Sequence, residues 1–170
     1  MGAASADLYY CVDASAFIDL RWRYPKDVFP GVWNRISDLA KARRLISPQE
    51  VRRELLGKAD EILQWAKMRP SVFQKLDSNQ QKIVREILQK FPTLVDATKL
   101  VRDADPFVIA LAVARRREEQ QLLLPSREWT VVTQEKSTIS GRPKIPNVCA
   151  AYKVPFFDIL EMFRQEKWKF

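Results

Sequence analysis

Histidine is absent from the chain. That removes Ser-His-Asp and Cys-His catalysis and every nuclease mechanism built on an imidazole base, so any hydrolysis has to come from carboxylates and metal. Glycine occurs only four times, which leaves no Gly-rich loop to cradle phosphates. The two cysteines, Cys11 and Cys149, stand in apolar surroundings without CxxC spacing. They read as buried, reduced thiols of a cytosolic protein, and they disfavour a zinc site. No stretch reaches the roughly 18 apolar residues of a membrane span, and the start lacks the apolar core of a signal peptide. A cytoplasmic location with no membrane partner is therefore expected, with residues 1–7 a flexible end. There is no internal repeat and no low-complexity linker.

What is present is globular: 46% apolar and 29% charged residues over 170 positions, enough for one domain, 1–170, with its own core. A net charge of +8 points to a polyanionic partner, nucleic acid before membrane.

The chain alternates between strand and helix signals. Tyr9 to Val12 form a short strand-forming run ending on Asp13, followed by Ala16, Phe17 and Leu20 at helical spacing. Arg21, Trp22 and Arg23 interleave cations with an aromatic ring, as a surface for phosphates and bases does; the competing expectation tucks Trp22 onto the core. Val32, Trp33, Ile36 and Leu39 mark the next helix. Leu45-Ile46 leads into Ser47-Pro48-Gln49-Glu50, which reads as a capping box and gives Glu50 a structural role. Glu54 lies one turn on, beside an apolar stripe. Residues 59–91 read as a helical insertion, with Asp77 or Ser78 opening its second helix. Pro106 fits a first helical position and makes Asp105 the expected cap of the apolar helix 107–114. Trp129 to Thr133 is a strand, with Glu135 and Lys136 just beyond it and a basic loop carrying Arg142 and Lys144. Val154, Phe156 and Phe157 read as a last strand, and Asp158 with Glu161 as a helix cap.

Such alternation predicts a parallel sheet covered by helices on both faces. Asp13, Glu54, Asp105 and Glu135 then fall at strand ends or helix starts on one side. Four carboxylates there repel one another, each close pair costing on the order of 4 kcal/mol at about 4 Å, unless a cation sits among them. Oxygen-only ligation suits Mg²⁺ or Mn²⁺, and in a basic protein such a site suits phosphodiester hydrolysis, with metal lowering the pKa of water.

Val12-Asp13-Ala14-Ser15 after a strand, Val51-Arg52-Arg53-Glu54-Leu55, Asp103-Ala104-Asp105 before an Ala-rich helix, and Val131-Val132-Thr133 with an acid two residues later resemble the PIN domain family. The motifs run in the family's order across essentially the whole chain. The likeness is nearest to a branch of VapC-like toxins, long catalogued without an assigned function, in which a stretch similar to Phe29-Pro30-Gly31-Val32-Trp33 follows the first helix. The resemblance implies an α/β, three-layer PIN-like domain with a central, mostly parallel sheet. It implies a Mg²⁺- or Mn²⁺-dependent endoribonuclease with Asp13, Glu54, Asp105 and Glu135 as catalytic metal ligands. Ser15, Asp103 and Thr133 would support them. Arg21, Trp22, Arg23, Lys136, Arg142 and Lys144 are the candidates for holding RNA. An antitoxin protein and a homodimer are the implied protein partners. Glu135 departs from the pattern, where Asp is usual, and a weakly active RNA-binding module is the alternative expectation.

Overall fold

The computed structural model describes residues 6–100, 103–123 and 126–170. Its sheet has five strands in the order β3-β2-β1-β4-β5, and every pairing among them is parallel. β1 (Asp7–Val12) is central, bonded to β2 (Leu45–Pro48) on one side and β4 (Arg127–Val132) on the other. The edges, β3 (Phe73–Gln74) and β5 (Phe156–Phe157), are two residues each.

Eight helices among the described residues cover both faces. α1 (Ala14–Arg23) packs on α3 (Gln49–Leu55), α4 (Asp60–Lys67) and α8 (Ile159–Gln165), while α2 (Pro30–Lys41) meets β2. α6 (Asp105–Gln120) lies across β1, β2 and β4 and against α5 (Ser78–Lys90) and α7 (Ile145–Ala151). Its residues Val108 to Ala112 are fully buried. A helix apolar all round belongs between layers, and each large aliphatic side chain so buried contributes about 1.5–3 kcal/mol. Cys11 and Cys149 are free thiols in this core.

Several expectations change against these elements. Asp7, expected in a loose end, belongs to β1, and Met1 to Ser5 of that expected end lie outside the described residues. The 59–91 segment is not wholly helical, because β3 runs between α4 and α5 and extends the sheet beside β2. Two residues are too few to leave a periodic signal. Ser47 does not cap α3: Pro48 holds that position without a side-chain bond, and the Ser47 hydroxyl instead donates to the Val12 carbonyl at 2.7 Å. Asp105 is the first residue of α6 and not its cap, which is Ala104, again without a side-chain bond. Asp77 does cap α5, with Gln80 reciprocating, and Asp158 caps α8 through the Glu161 N–H. α6 continues through Arg115, Arg116 and Arg117 to Gln120. Trp22 is 70% exposed, not tucked into the core.

Candidate active site

In an open parallel sheet, the crevice forms where neighbouring strands send their following segments in opposite directions. Here that point lies between β1 and β4. The chain leaves β1 toward β2 and β3, and leaves β4 toward β5. Val12 pairs with Val132, so Asp13 and Thr133 emerge side by side, and the Asp13 N–H still donates to the Val132 carbonyl at 2.9 Å.

Asp13 is 3% exposed and caps α1 through the Ser15 N–H. Its Oδ2 also accepts from the Ser15 hydroxyl at 2.5 Å and the Thr133 hydroxyl at 3.1 Å. The Ser15 oxygen takes the Gln134 N–H, and the Thr133 oxygen takes the Glu135 N–H at 3.2 Å. Two short hydroxyl residues thus lock the ends of β1 and β4 together and leave Asp13 one orientation. Cap and site candidate, alternatives in the sequence, coincide in a single carboxylate.

The other three acids arrive from separate elements. Glu54 sits on the last turn of α3 and accepts the Ala104 N–H at 2.7 Å, which supplies the bond that the uncapped start of α6 lacks. Asp105 opens α6 a residue later, and no hydrogen bond to its carboxylate is found among the described residues. Glu135 follows β4, accepting the Ile145 N–H at 2.9 Å, with Lys144 Nζ 3.9 Å from its other oxygen. All four acids line one pocket of about 390 Å³.

Their electrostatics reflect that proximity. Burial, with the nearby charges of Asp13, Glu135 and Glu54, pushes the Asp105 carboxyl up to about 8. Burial also raises Asp13, opposed by the Ser15 hydrogen bond and reinforced by Glu135. Glu54 is raised by burial too, with the Ala104 N–H opposing and Asp13 adding to the rise. Asp103 behaves differently. Burial works against its charge, but hydrogen bonds from Lys99 and the Asp96 N–H, with the charges of Lys99 and Arg142, hold it below the usual carboxylate range. It is a clamp: its oxygens take Lys99 at 2.5 Å, the Asp96 N–H at 2.9 Å and Arg142 at 3.0 Å.

Cations rim the same pocket: Arg53, Lys58, Lys99, Arg142 and Lys144. Of these only Arg142 and Lys144 are among the residues singled out in the sequence. Arg53 and Lys58 adjoin Glu54 in the chain, and Lys99 stands four residues before Asp103, which is the only sequence signal they carry. Arg21, Trp22, Arg23 and Lys136 do not line it. Arg21 is bonded to the Lys58 carbonyl and to Glu61, and Arg23 to Asp19. Lys136 lies 3.7 Å from Asp158, and Trp22 stacks under Arg21 in a separate pocket.

The donors facing the pocket are carboxylate and hydroxyl oxygens, a set that fits a hard divalent cation and not zinc. Among the described residues no three Asp, Glu or Cys side chains are drawn together as a ligand cage. Glu54 and Glu135 are each held through one oxygen by a backbone N–H, and a carboxylate has a second oxygen with which to meet an ion.

An α/β protein with a carboxylate pocket at its topological switch point is the class that the fold and site define. The chain belongs to the family described as a domain of unknown function (DUF4411), whose model matches residues 10–170. No curated protein and no solved structure matches it.

Proposed function

We propose that the protein is a Mg²⁺- or Mn²⁺-dependent ribonuclease of PIN-like type. One observation carries this reading: Asp13, Glu54, Asp105 and Glu135, from four separate segments of the chain, line a single basic-rimmed pocket at the switch point. Repulsion among them offsets any purely structural benefit, and a bound cation removes it. When bound, that ion would supply a nucleophile at neutral pH and charge stabilisation at the phosphate. Asp13, Glu54, Asp105 and Glu135 would hold it. Ser15 and Thr133 keep Asp13 from turning away, and Asp103 keeps Lys99 and Arg142 beside the pocket mouth. Arg53, Lys58 and Lys144 complete a rim that positions a phosphate backbone without doing chemistry on it.

The narrower role, a toxin neutralised by an antitoxin, rests on the likeness of motif order to VapC-like toxins. It predicts that expression alone arrests growth and that a small protein from an adjacent reading frame relieves the arrest.

A second reading has its own support. Glu135 is occupied by the Ile145 N–H and lies near Lys144, an arrangement that suits an RNA-binding module with little activity. Incubation of the purified protein with RNA and Mg²⁺ or Mn²⁺ separates the two. The nuclease cleaves, and Asp13→Asn or EDTA reduces cleavage to background. Cleavage indifferent to both would eliminate the site. Salt-sensitive binding without cleavage under either metal would favour the module.

A further inference from the structure

The carboxylate pocket adjoins a second, larger one of about 740 Å³, and Arg53, Lys99 and Asp103 belong to the walls of both. This second pocket lies between α3, α5 and the start of α6. Lys75 and Arg85 line it, are exposed, and form no ion pair among the described residues, as is also true of Arg53. Leu88 and Phe107 give it an apolar floor, being partly buried against the core.

Cations without an ion pair among the described residues and an apolar floor with one ring form a set that no simple ligand uses in full. An inorganic anion leaves the floor bare, and an aliphatic ligand leaves the cations idle. A nucleotide engages both: phosphate to cation and base face to ring. The shared wall puts such a nucleotide next to the carboxylates.

We propose that this second pocket is a subsite for the nucleotide flanking the scissile phosphate of single-stranded RNA, with Lys75 and Arg85 holding its backbone. The proposal deepens the ribonuclease reading and rests on it for the identity of the polymer. Both cations are exposed, so replacing them leaves the core intact, which circular dichroism verifies.

The test uses a fluorescent single-stranded RNA of about a dozen nucleotides, titrated in EDTA against the unaltered chain and against Lys75→Ala/Arg85→Ala. The double variant is expected to bind about tenfold more weakly. Its plot of log affinity against log salt should be shallower by about 1.4, two phosphate contacts at about 0.7 each. Lys41→Ala/Arg43→Ala, which removes the same charge elsewhere, should change neither. Equal losses in that control, equal losses on duplex DNA, or no RNA binding at all would overturn the subsite. If the double variant matches the unaltered chain while both cleave RNA with metal, the subsite is wrong and the nuclease reading stands. If the losses appear in a protein that never cleaves, the nuclease reading fails and the pocket holds single-stranded RNA without flanking a scissile phosphate, which overturns the subsite as a part of an active site.

Discussion

Asp105 is the residue in which the tension of the pocket is most concentrated. Asp13 has three hydrogen-bond donors on Oδ2 and Glu54 has a backbone N–H, whereas Asp105 meets four like charges, those of Asp13, Glu135, Glu54 and Asp103, with no compensating bond among the described residues. Its carboxyl, raised to about 8 from an ordinary 3.8, therefore holds a proton in the folded, metal-free chain that the unfolded chain has already released. The folded state binds more protons between those values, so this contribution to stability is fully present below the unfolded pKa and is lost as pH rises through about 8. Asp13 and Glu54, raised in the same direction, add to the trend. In EDTA, urea midpoints should fall between about pH 5 and pH 8, and Asp105→Asn should flatten that fall. A midpoint that rises over this interval, or a slope untouched by the substitution, would contradict the electrostatic account of the pocket.

Among the elements, α5 has the most complete local signal and β3 the least. Asp77 accepts the Gln80 N–H at 2.8 Å, and Gln80 Oε1 accepts the Asp77 N–H at 3.0 Å. Loss of an N-cap of this kind costs about 1 kcal/mol, so Asp77→Ala should lower the denaturation free energy by that amount and leave RNA cleavage unchanged. A loss near zero would mean that α5 is held by α6 alone. The same contrast explains what the chain discloses before it is folded. β1, β4 and the run within α6 were legible because burial all round makes them continuous apolar stretches, and α2 because burial of one face imposes a helical period. The caps at Ser47 and Asp105 were misread because tertiary partners took the bonds: the Val12 carbonyl draws off the Ser47 hydroxyl, and the Glu54 carboxylate reaches the Ala104 N–H. Glu54 was separable from Glu50 on sequence alone, since only one lies a turn beyond the helix start. Lys99 and Arg53 were not, because the rim joins a residue of α3 to one of a loop, and which of them meet depends on the whole fold. Of the two expectations for Trp22, burial is the one the structure excludes, since Trp22 lies beyond Leu20, the last buried residue of α1, near the end of that helix.

For the molecule as a whole, the pocket links metal to folding. An ion that binds the folded state alone stabilises it by about 2.7 kcal/mol at a hundredfold excess over its dissociation constant. Millimolar Mg²⁺ or Mn²⁺ should therefore raise the melting temperature, and Asp13→Asn or Glu54→Gln should abolish the rise. No shift with either metal would count against an ion site. The C-terminal segment is fastened to the same central strand on which the site depends, since the Tyr10 hydroxyl donates to Glu166 at 2.7 Å and Arg44 pairs with that carboxylate at 2.5 Å. The two edge strands bear on self-association. β3 and β5 each offer only two residues to a neighbour, too short a template for another chain to extend the sheet. Contact between copies through any surface other than these edges leaves the five-stranded sheet and the crevice at its centre unaltered in strand count and register.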